Sequence, residues 1–339
     1  MVEIARFVDR LTELKALESW CTSPRATPLY LYGPEGCGKT RLLKEFVKGF
    51  SERFEDAVAI YIDALERSSI DRAVIAPRVS EVVRSIVEDI PGAAGAECVG
   101  RVVANALARM LERLVARRAV EGRYIVVAVD DVARAIGLDQ VEWYVKWLYE
   151  LLWRAREEWA PKAVSFIVTT SEGASLDLVS RHRHAHISLV WNLGRDAFNE
   201  LVQLLKPSRA VDLEELWRFL GGNPGRLIEL VEVYDWSIDA WMRDLEARLR
   251  PFIHEISRRG LLRELRAVIE DPDALADPSM PRMGELYRAL VERNLVMYRG
   301  FEALGGARLV PDPDLGVGRY YAWQIPAYRY ALKRLLEGG

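Results

Sequence analysis

Leu29-Tyr30-Leu31-Tyr32-Gly33-Pro34-Glu35-Gly36-Cys37-Gly38-Lys39-Thr40 decides how this chain must fold. Four apolar and aromatic residues make a short strand, and the pattern G-x-x-x-x-G-K-T follows without a break. Beyond it, Leu42, Leu43, Phe46, Val47 and Phe50 recur at helical spacing. Strand, glycine loop and helix in that order form a phosphate cradle. The glycines let the main chain turn its N–H groups inward, and the helix N-terminus adds partial positive charge. Lys39 is then set to reach the β and γ phosphates, and the Thr40 hydroxyl to ligate Mg²⁺. The cradle comprises Gly33, Pro34, Glu35, Gly36, Cys37, Gly38, Lys39 and Thr40, with Arg41 next to it. Cys37 reads as a passenger rather than a redox switch.

A second anchor is Tyr124-Ile125-Val126-Val127-Ala128-Val129-Asp130-Asp131, an apolar strand ending in paired acids. Asp130 is expected to hold Mg²⁺ through water, and Asp131 to polarise the attacking water. Asp131 is one methylene shorter than the Glu common at this place, which fits slow turnover. Phe166-Ile167-Val168-Thr169-Thr170-Ser171 is a third strand, ending in hydroxyls. It resembles the extra strand that some ATPases carry between the loop strand and the metal strand, which presents a polar side chain to the γ-phosphate; Thr170 or Ser171 would fill that role.

Outward from these anchors, further branched apolar runs at residues 58–62 and 185–190 complete five strands, with amphipathic helices between them. Continuously apolar strands alternating with helices predict an α/β core with a five-stranded parallel sheet covered on both faces. Residues 65–122, Arg-rich and broken at Pro77 and the turn at 91–95, read as a helical insertion. After Leu193 four short helices follow, at residues 195–205, 211–220, 224–234 and 237–249. Two or three more helices come next, then apolar runs at 295–299 and 307–310, and a closing helix near Pro326. The expected domains are a core at 1–193, a helical lid at 194–250 and a third unit at 251–339.

Composition sets the outer bounds. The chain has 339 residues, 50% hydrophobic and 29% charged, with a formal charge of -3. That excludes a disordered chain, which needs low hydrophobicity and high net charge. No apolar run approaches the ~18 residues of a spanning helix, so no membrane is expected. Charges at Glu3, Arg6, Asp9 and Arg10 leave no visible signal peptide, and three cysteines fit a reducing cytoplasm. Only eight of the 47 basic residues are lysines, and glutamine occurs only at 140, 203 and 324. A hot cytoplasm favours few amides and many charges, although a GC-rich genome gives the same arginine excess.

The opening stretch Phe7-Val8-Asp9-Arg10-Leu11-Thr12-Glu13-Leu14-Lys15-Ala16-Leu17 resembles the F-x-x-R-x-x-E-L-x-x-L segment of archaeal ATPases. These belong to the STAND branch (signal-transduction ATPases with numerous domains) of the AAA+-like P-loop proteins. The Gly33-to-Thr40 loop, Asp130-Asp131, Thr169-Thr170-Ser171 and Gly222-Asn223-Pro224 fall in that family's order and spacing, over roughly residues 1–235. The resemblance continues more loosely into a C-terminal winged-helix-like region. It implies an ATP·Mg²⁺-dependent switch, with Phe7, Val8 and Arg10 bordering the base and Pro224 lining the nucleotide. Asn223 has a physical logic of its own: it caps a helix whose first position is Pro224, aiming helix amides toward a phosphate. Arg226, in that first turn, could then touch the γ-phosphate. The resemblance further implies an arginine finger before the last strand, Arg183 or Arg181, acting within the chain or on a neighbour. His182, His184 and His186 share that stretch without a carboxylate or cysteine ligand, so a metal site is not expected there.

The alternative reading is an ATP-gated DNA-binding protein akin to origin-recognition initiators or transposition regulators. Residues 287–296 resemble a recognition helix, and Arg282, Arg288, Arg293, Arg299 and Arg308 could meet duplex phosphates. Docking on the ATPase core, on a protein partner or on a second copy of the chain is the competing use of that unit.

Overall fold

Runs of branched apolar residues form the strands, because side chains on both faces of each run are buried. The computed structural model describes residues 7–66, 69–77, 107, 111–113, 120–170 and 173–338. The strands are β1 (Leu29–Tyr32), β2 (Ala57–Asp63), β3 (Val74–Ile75), β4 (Tyr124–Asp130), β5 (Ala163–Thr170) and β6 (His186–Leu189). Their order is β3-β2-β4-β5-β1-β6. The five expected strands are parallel, and β5 lies between the loop strand and the acid strand as anticipated. This is the α/β core with a parallel sheet that the sequence predicts. One correction concerns the count: two residues from the insertion, β3, pair antiparallel to β2 and make a sixth strand. So short a strand has no periodicity to read. Most of the rest of the expected helical insertion lies outside the described residues.

Alternate residues of each strand face opposite layers. One layer packs Val58, Ile60, Ile62, Val127 and Phe166 under Tyr144, Leu148 and Leu152 of α5 (Leu138–Glu158). The other packs Leu29, Leu31, Ala59 and Tyr61 under Leu42, Phe46 and Phe50 of α2 (Lys39–Arg53), with Leu17 of α1 (Leu11–Cys21). Shorter helices α3 (Ile70–Ala73), α4 (Val132–Ile136) and α6 (Gly173–Ser180) complete the core's described elements.

Next come α7 (Arg195–Leu204), α8 (Leu213–Leu220), α9 (Pro224–Tyr234) and α10 (Ile238–Arg258). The remainder holds α11 (Leu262–Glu270), a 3-10 turn (Pro272–Ala276), α12 (Met283–Glu292), β7 (Val296–Tyr298), β8 (Tyr321–Trp323) and α13 (Pro326–Glu337). Two expectations change here. The helix expected at residues 237–249 runs on through Pro251 as α10, so the boundary drawn at residue 250 falls inside one helix. The helix holds because Trp241, Met242, Leu249, Phe252 and Ile256 bury one stripe across the proline, outweighing its cost of ~3 kcal/mol. Phe219, Leu220, Phe252, Leu286, Trp323 and Leu332 share one hydrophobic cluster, so lid and C-terminal unit are built on a common core. The apolar run at 307–310 forms no strand, and β7 pairs antiparallel with β8.

The C-terminal unit also touches the sheet directly. Leu189 at the end of β6 donates its N–H to Glu302 O at 2.9 Å, and Leu304 donates to Leu189 O at 2.8 Å. Residues 302–304 thus lie parallel on the outer side of β6. Alongside, Tyr287 of α12 donates its hydroxyl to Asp177 of α6 at 3.4 Å, and Val291 packs against Gly173.

Candidate functional site

The loop after β1 folds back on itself. Lys39 is buried, and its Nζ donates to Gly33 O at 2.9 Å and Pro34 O at 3.1 Å, with Cys37 Sγ at 3.8 Å. Gly36 has φ +82, and a Cβ there would stand 2.8 Å from Asn223 Oδ1, so this position requires glycine. Cys37 is fully buried, and its Sγ lies 3.3 Å from Val190 O.

Arg10 braces this loop. Its guanidinium donates to Cys37 O at 2.8 Å, to Trp191 O at 2.6 Å and to Glu13 at 2.6 Å. The opening segment therefore ties the loop to the chain leaving β6. Phe7 and Val8 line the same cleft as Arg10.

The lid meets the loop through main chain. Asn223 caps α9 by accepting from Arg226 N–H at 3.0 Å, with Pro224 at the first helical position, as expected. The next amide is already engaged: Gly225 N–H donates to Gly36 O at 2.9 Å. Asn223 Nδ2 adds a bond to Glu35 O at 2.9 Å.

The acids close the other side. Asp130 is buried and accepts from Tyr61 Oη at 2.8 Å and from the Thr169 hydroxyl. Thr169 Oγ1 in turn accepts the Asp131 N–H at 2.9 Å, with Asp131 in a left-handed conformation (φ 51). One hydroxyl thus fixes both acids. Burial, with the Asp130 and Asp63 charges next, drives the Tyr61 phenol far up, so it stays a neutral donor. Asp63, beside Asp130 in register, is pushed up mainly by burial, while its hydrogen bond from Leu65 N–H and the Lys44 charge oppose the shift. Thr40 is exposed at the first turn of α2. The Thr40 hydroxyl and the carboxylates are all-oxygen donors, which fits Mg²⁺; Asp131 lines the cleft, while Asp130 is buried outside its walls.

These parts surround one cleft of about 460 Å³, in the range of small-molecule sites. Its walls include Phe7, Val8, Arg10, Glu35, Gly36, Cys37, Gly38, Lys39, Thr40, Arg41, Asp131 and Pro224. Lys44, Arg134, Leu193, Leu201, Gly225 and Ile228 complete it and were not anticipated. Lys44 carried a signal, one turn beyond Thr40 on the loop helix; the others come from segments whose approach only the fold reveals.

Other expected residues lie elsewhere. Thr170 is buried with its hydroxyl bonded to Ser175, outside the cleft walls, and Ser171 lies outside the described residues. The hydroxyl facing the acids is that of Thr169. Arg226 does not line the cleft. It bonds Glu229 at 2.8 Å and Tyr328 Oη at 3.2 Å, with Glu35 at 3.5 Å, in a separate cavity beneath the loop. Arg183 is exposed just before β6, at the opposite end of the sheet from the loop, which corrects the within-chain finger. Arg181 sits there too, 3.7 Å from Glu142. His184 packs at a tilt against Tyr149, with ring centroids 4.4 Å apart.

In the C-terminal unit, Arg282 pairs with Glu285 and Arg293 with Glu255, both at 2.8 Å, while Arg299 is buried on Gly318 O and Leu309 O. Arg288 and Arg308 are exposed. No described helix is long and apolar enough to cross a membrane.

No curated protein matches the sequence. Among solved structures, Aeropyrum pernix ORC1 in complex with DNA is 15% identical, with 98% of this chain and 93% of that chain covered and a TM-score of 0.45. Cdc6p from Pyrobaculum aerophilum is 14% identical, covering 98% and 96%, with a TM-score of 0.41. AMPPCP-bound DnaA from Aquifex aeolicus is 15% identical, covering 73% and 71%, with a TM-score of 0.35. Residues 7–230 match the family described as an ATPase domain predominantly from Archaea, a span that contains every residue lining the cleft. The chain belongs to that archaeal family of ATP-binding P-loop ATPase domains.

Proposed function

We propose that the chain is a slow, Mg²⁺-dependent ATPase of the STAND type, in which the bound nucleotide sets the position of the lid. The observation that carries this reading is the direct bond between lid and phosphate loop, Gly225 N–H to Gly36 O, beside a cleft lined by both. Any change in the loop at the phosphates is felt by α9 without an intermediary, so contacts present in only one nucleotide state bias the lid.

In this reading Lys39 brings its ammonium from the loop carbonyls to the β and γ phosphates, and the loop amides hold the same oxygens. Thr40, and Asp130 through water, would hold Mg²⁺, which would supply positive charge beside the phosphate oxygens. Asp131, at the cleft wall and oriented by Thr169, takes the role of polarising water. Its short side chain supports slow turnover. Phe7, Val8, Leu193, Leu201 and Ile228 supply an apolar wall for the base. A finger from Arg183 would act only on a neighbouring copy. The residue usage supports a cytoplasmic, hot-adapted protein.

The test is ATP binding and hydrolysis by the wild type against Lys39→Ala. Binding and phosphate release are expected in the first and loss of both in the second; equal behaviour refutes the proposal. The duplex-binding alternative has less behind it, since α12 faces α6 and two of its candidate arginines are paired with carboxylates. A salt-dependent duplex shift lost on Arg288→Ala would favour it instead.

A further inference from the structure

Amides are scarce in this chain: three glutamines and five asparagines in 339 residues. Four of the eight, Asn192, Asn223, Asn294 and Gln324, meet in one place behind the phosphate loop. Gln324 leads from β8 into α13 and is 3% exposed. Its Oε1 accepts the Glu35 N–H at 2.8 Å. The Glu35 carbonyl accepts from Asn223 Nδ2 at 2.9 Å, and that same amide donates to Asn192 Oδ1 at 2.9 Å. Asn192 Nδ2 then donates to the Gln324 main-chain carbonyl at 3.3 Å, which closes a ring. Outside the ring, Gln324 Nε2 donates to Asn294 Oδ1 at 3.2 Å, and Gln324 N–H to Leu295 O at 3.0 Å.

The ring joins four parts of the fold: the loop, the chain leaving β6, the lid cap and the C-terminal unit. Both main-chain groups of Glu35 are held by amide side chains from outside the core sheet. An amide presents donor and acceptor at fixed angles, so the ring defines the orientation of the Glu35 peptide rather than merely filling space. Without Gln324, a largely buried N–H would lose its partner, and the peptide would have reason to turn. A turn at Glu35 displaces Gly36, whose carbonyl carries the lid.

We propose that Gln324 is a positioning residue of the phosphate-binding loop, through which seating of the C-terminal unit sets ATP affinity. This rests on the reading of the Gly33-to-Thr40 loop as the ATP site. It adds that the loop's geometry is completed by a residue about 290 positions away in sequence.

The test uses the full chain with Gln324→Met, which keeps length and bulk but removes acceptor and donor. Removing one well-placed hydrogen bond should raise KM and Kd for ATP about five- to tenfold, with kcat changed less than about twofold. Partial unfolding does the reverse: it lowers the number of competent sites and leaves KM where it was. An unchanged Kd in Gln324→Met, with Lys39→Ala unable to bind, overturns the proposal while leaving the ATP site intact. A wild type that binds no ATP removes the site itself, and is seen before any Gln324 variant is made. Should Gln324→Met fail to fold, Asn294→Ala frees the Gln324 amide from outside the ring. A smaller rise in KM then supports the proposal, and an unchanged KM overturns it.

Discussion

Replacing Gly225 by alanine tests the lid contact through its sign. Gly225 lies in the first turn of α9, where alanine, judged on helix propensity alone, would stabilise by up to ~1 kcal/mol. Here the added methyl would stand 2.7 Å from Gly36 Cα and 3.0 Å from Gly36 O. Both are main-chain atoms of the phosphate loop, so no side chain can swing aside. Relief requires lid and loop to part by about 1 Å to reach ordinary contact distance, which stretches the 2.9 Å bond from Gly225 N–H beyond use. Overpacking of this kind costs ~1–3 kcal/mol, and the lost bond adds to it. If lid closure and ATP binding are coupled, the overpacking cost alone weakens ATP affinity by roughly 5- to 150-fold. Fluorescent-nucleotide titration gives the affinity, and protease cleavage with and without ATP reports the lid. A Gly225→Ala chain that melts higher than wild type and binds ATP equally well would refute direct lid–loop coupling.

Tyr61→Phe removes the donor to Asp130 Oδ2 and is expected to raise the Mg²⁺ concentration for half-maximal ATPase activity about tenfold, read by metal titration at saturating ATP. Asp63→Asn tests the acid cluster by pH. Because the folded carboxyl lies above its unfolded value, ionised Asp63 costs stability as pH rises from the unfolded pKa (~3.9) through the folded one. The variant should therefore melt higher than wild type at neutral pH and equally below about pH 3, by thermal melts across that range. Arg183→Ala should slow hydrolysis only where wild-type specific activity rises with protein concentration, since within one chain Arg183 stands at the far end of the sheet. A concentration-independent loss would contradict that placement.

The sequence announced what depends on neighbours along the chain. Residues 29–40 carry their own strand, turn and helix signals, and the acid pair after β4 and the cap at Asn223 are equally local. What it hid depends on which segments meet. Tyr61 reads as one more apolar strand residue until β2 is registered against β4, with Asp63 opposite Asp130. Thr169 and Thr170 are equivalent in sequence; alternation of side chains sends one toward the acids and the other to Ser175. Pro251 is a sound local stop signal overruled by burial along the whole length of α10. Arg226 has the right position in sequence for a phosphate contact, but its side chain is taken up by Glu229 and Tyr328.

Residues 302–304 lie along β6 like a zip fastened onto a garment's hem. Cut the chain after residue 193 and that hem opens, leaving unpaired N–H and C=O groups beside Tyr32 and Leu189, which lose the cover of Met297 and Phe301. A shortened ATPase half would therefore be prone to clump with its own kind, however complete its cleft. The part beyond residue 193 is, on this view, the core's guard against self-association.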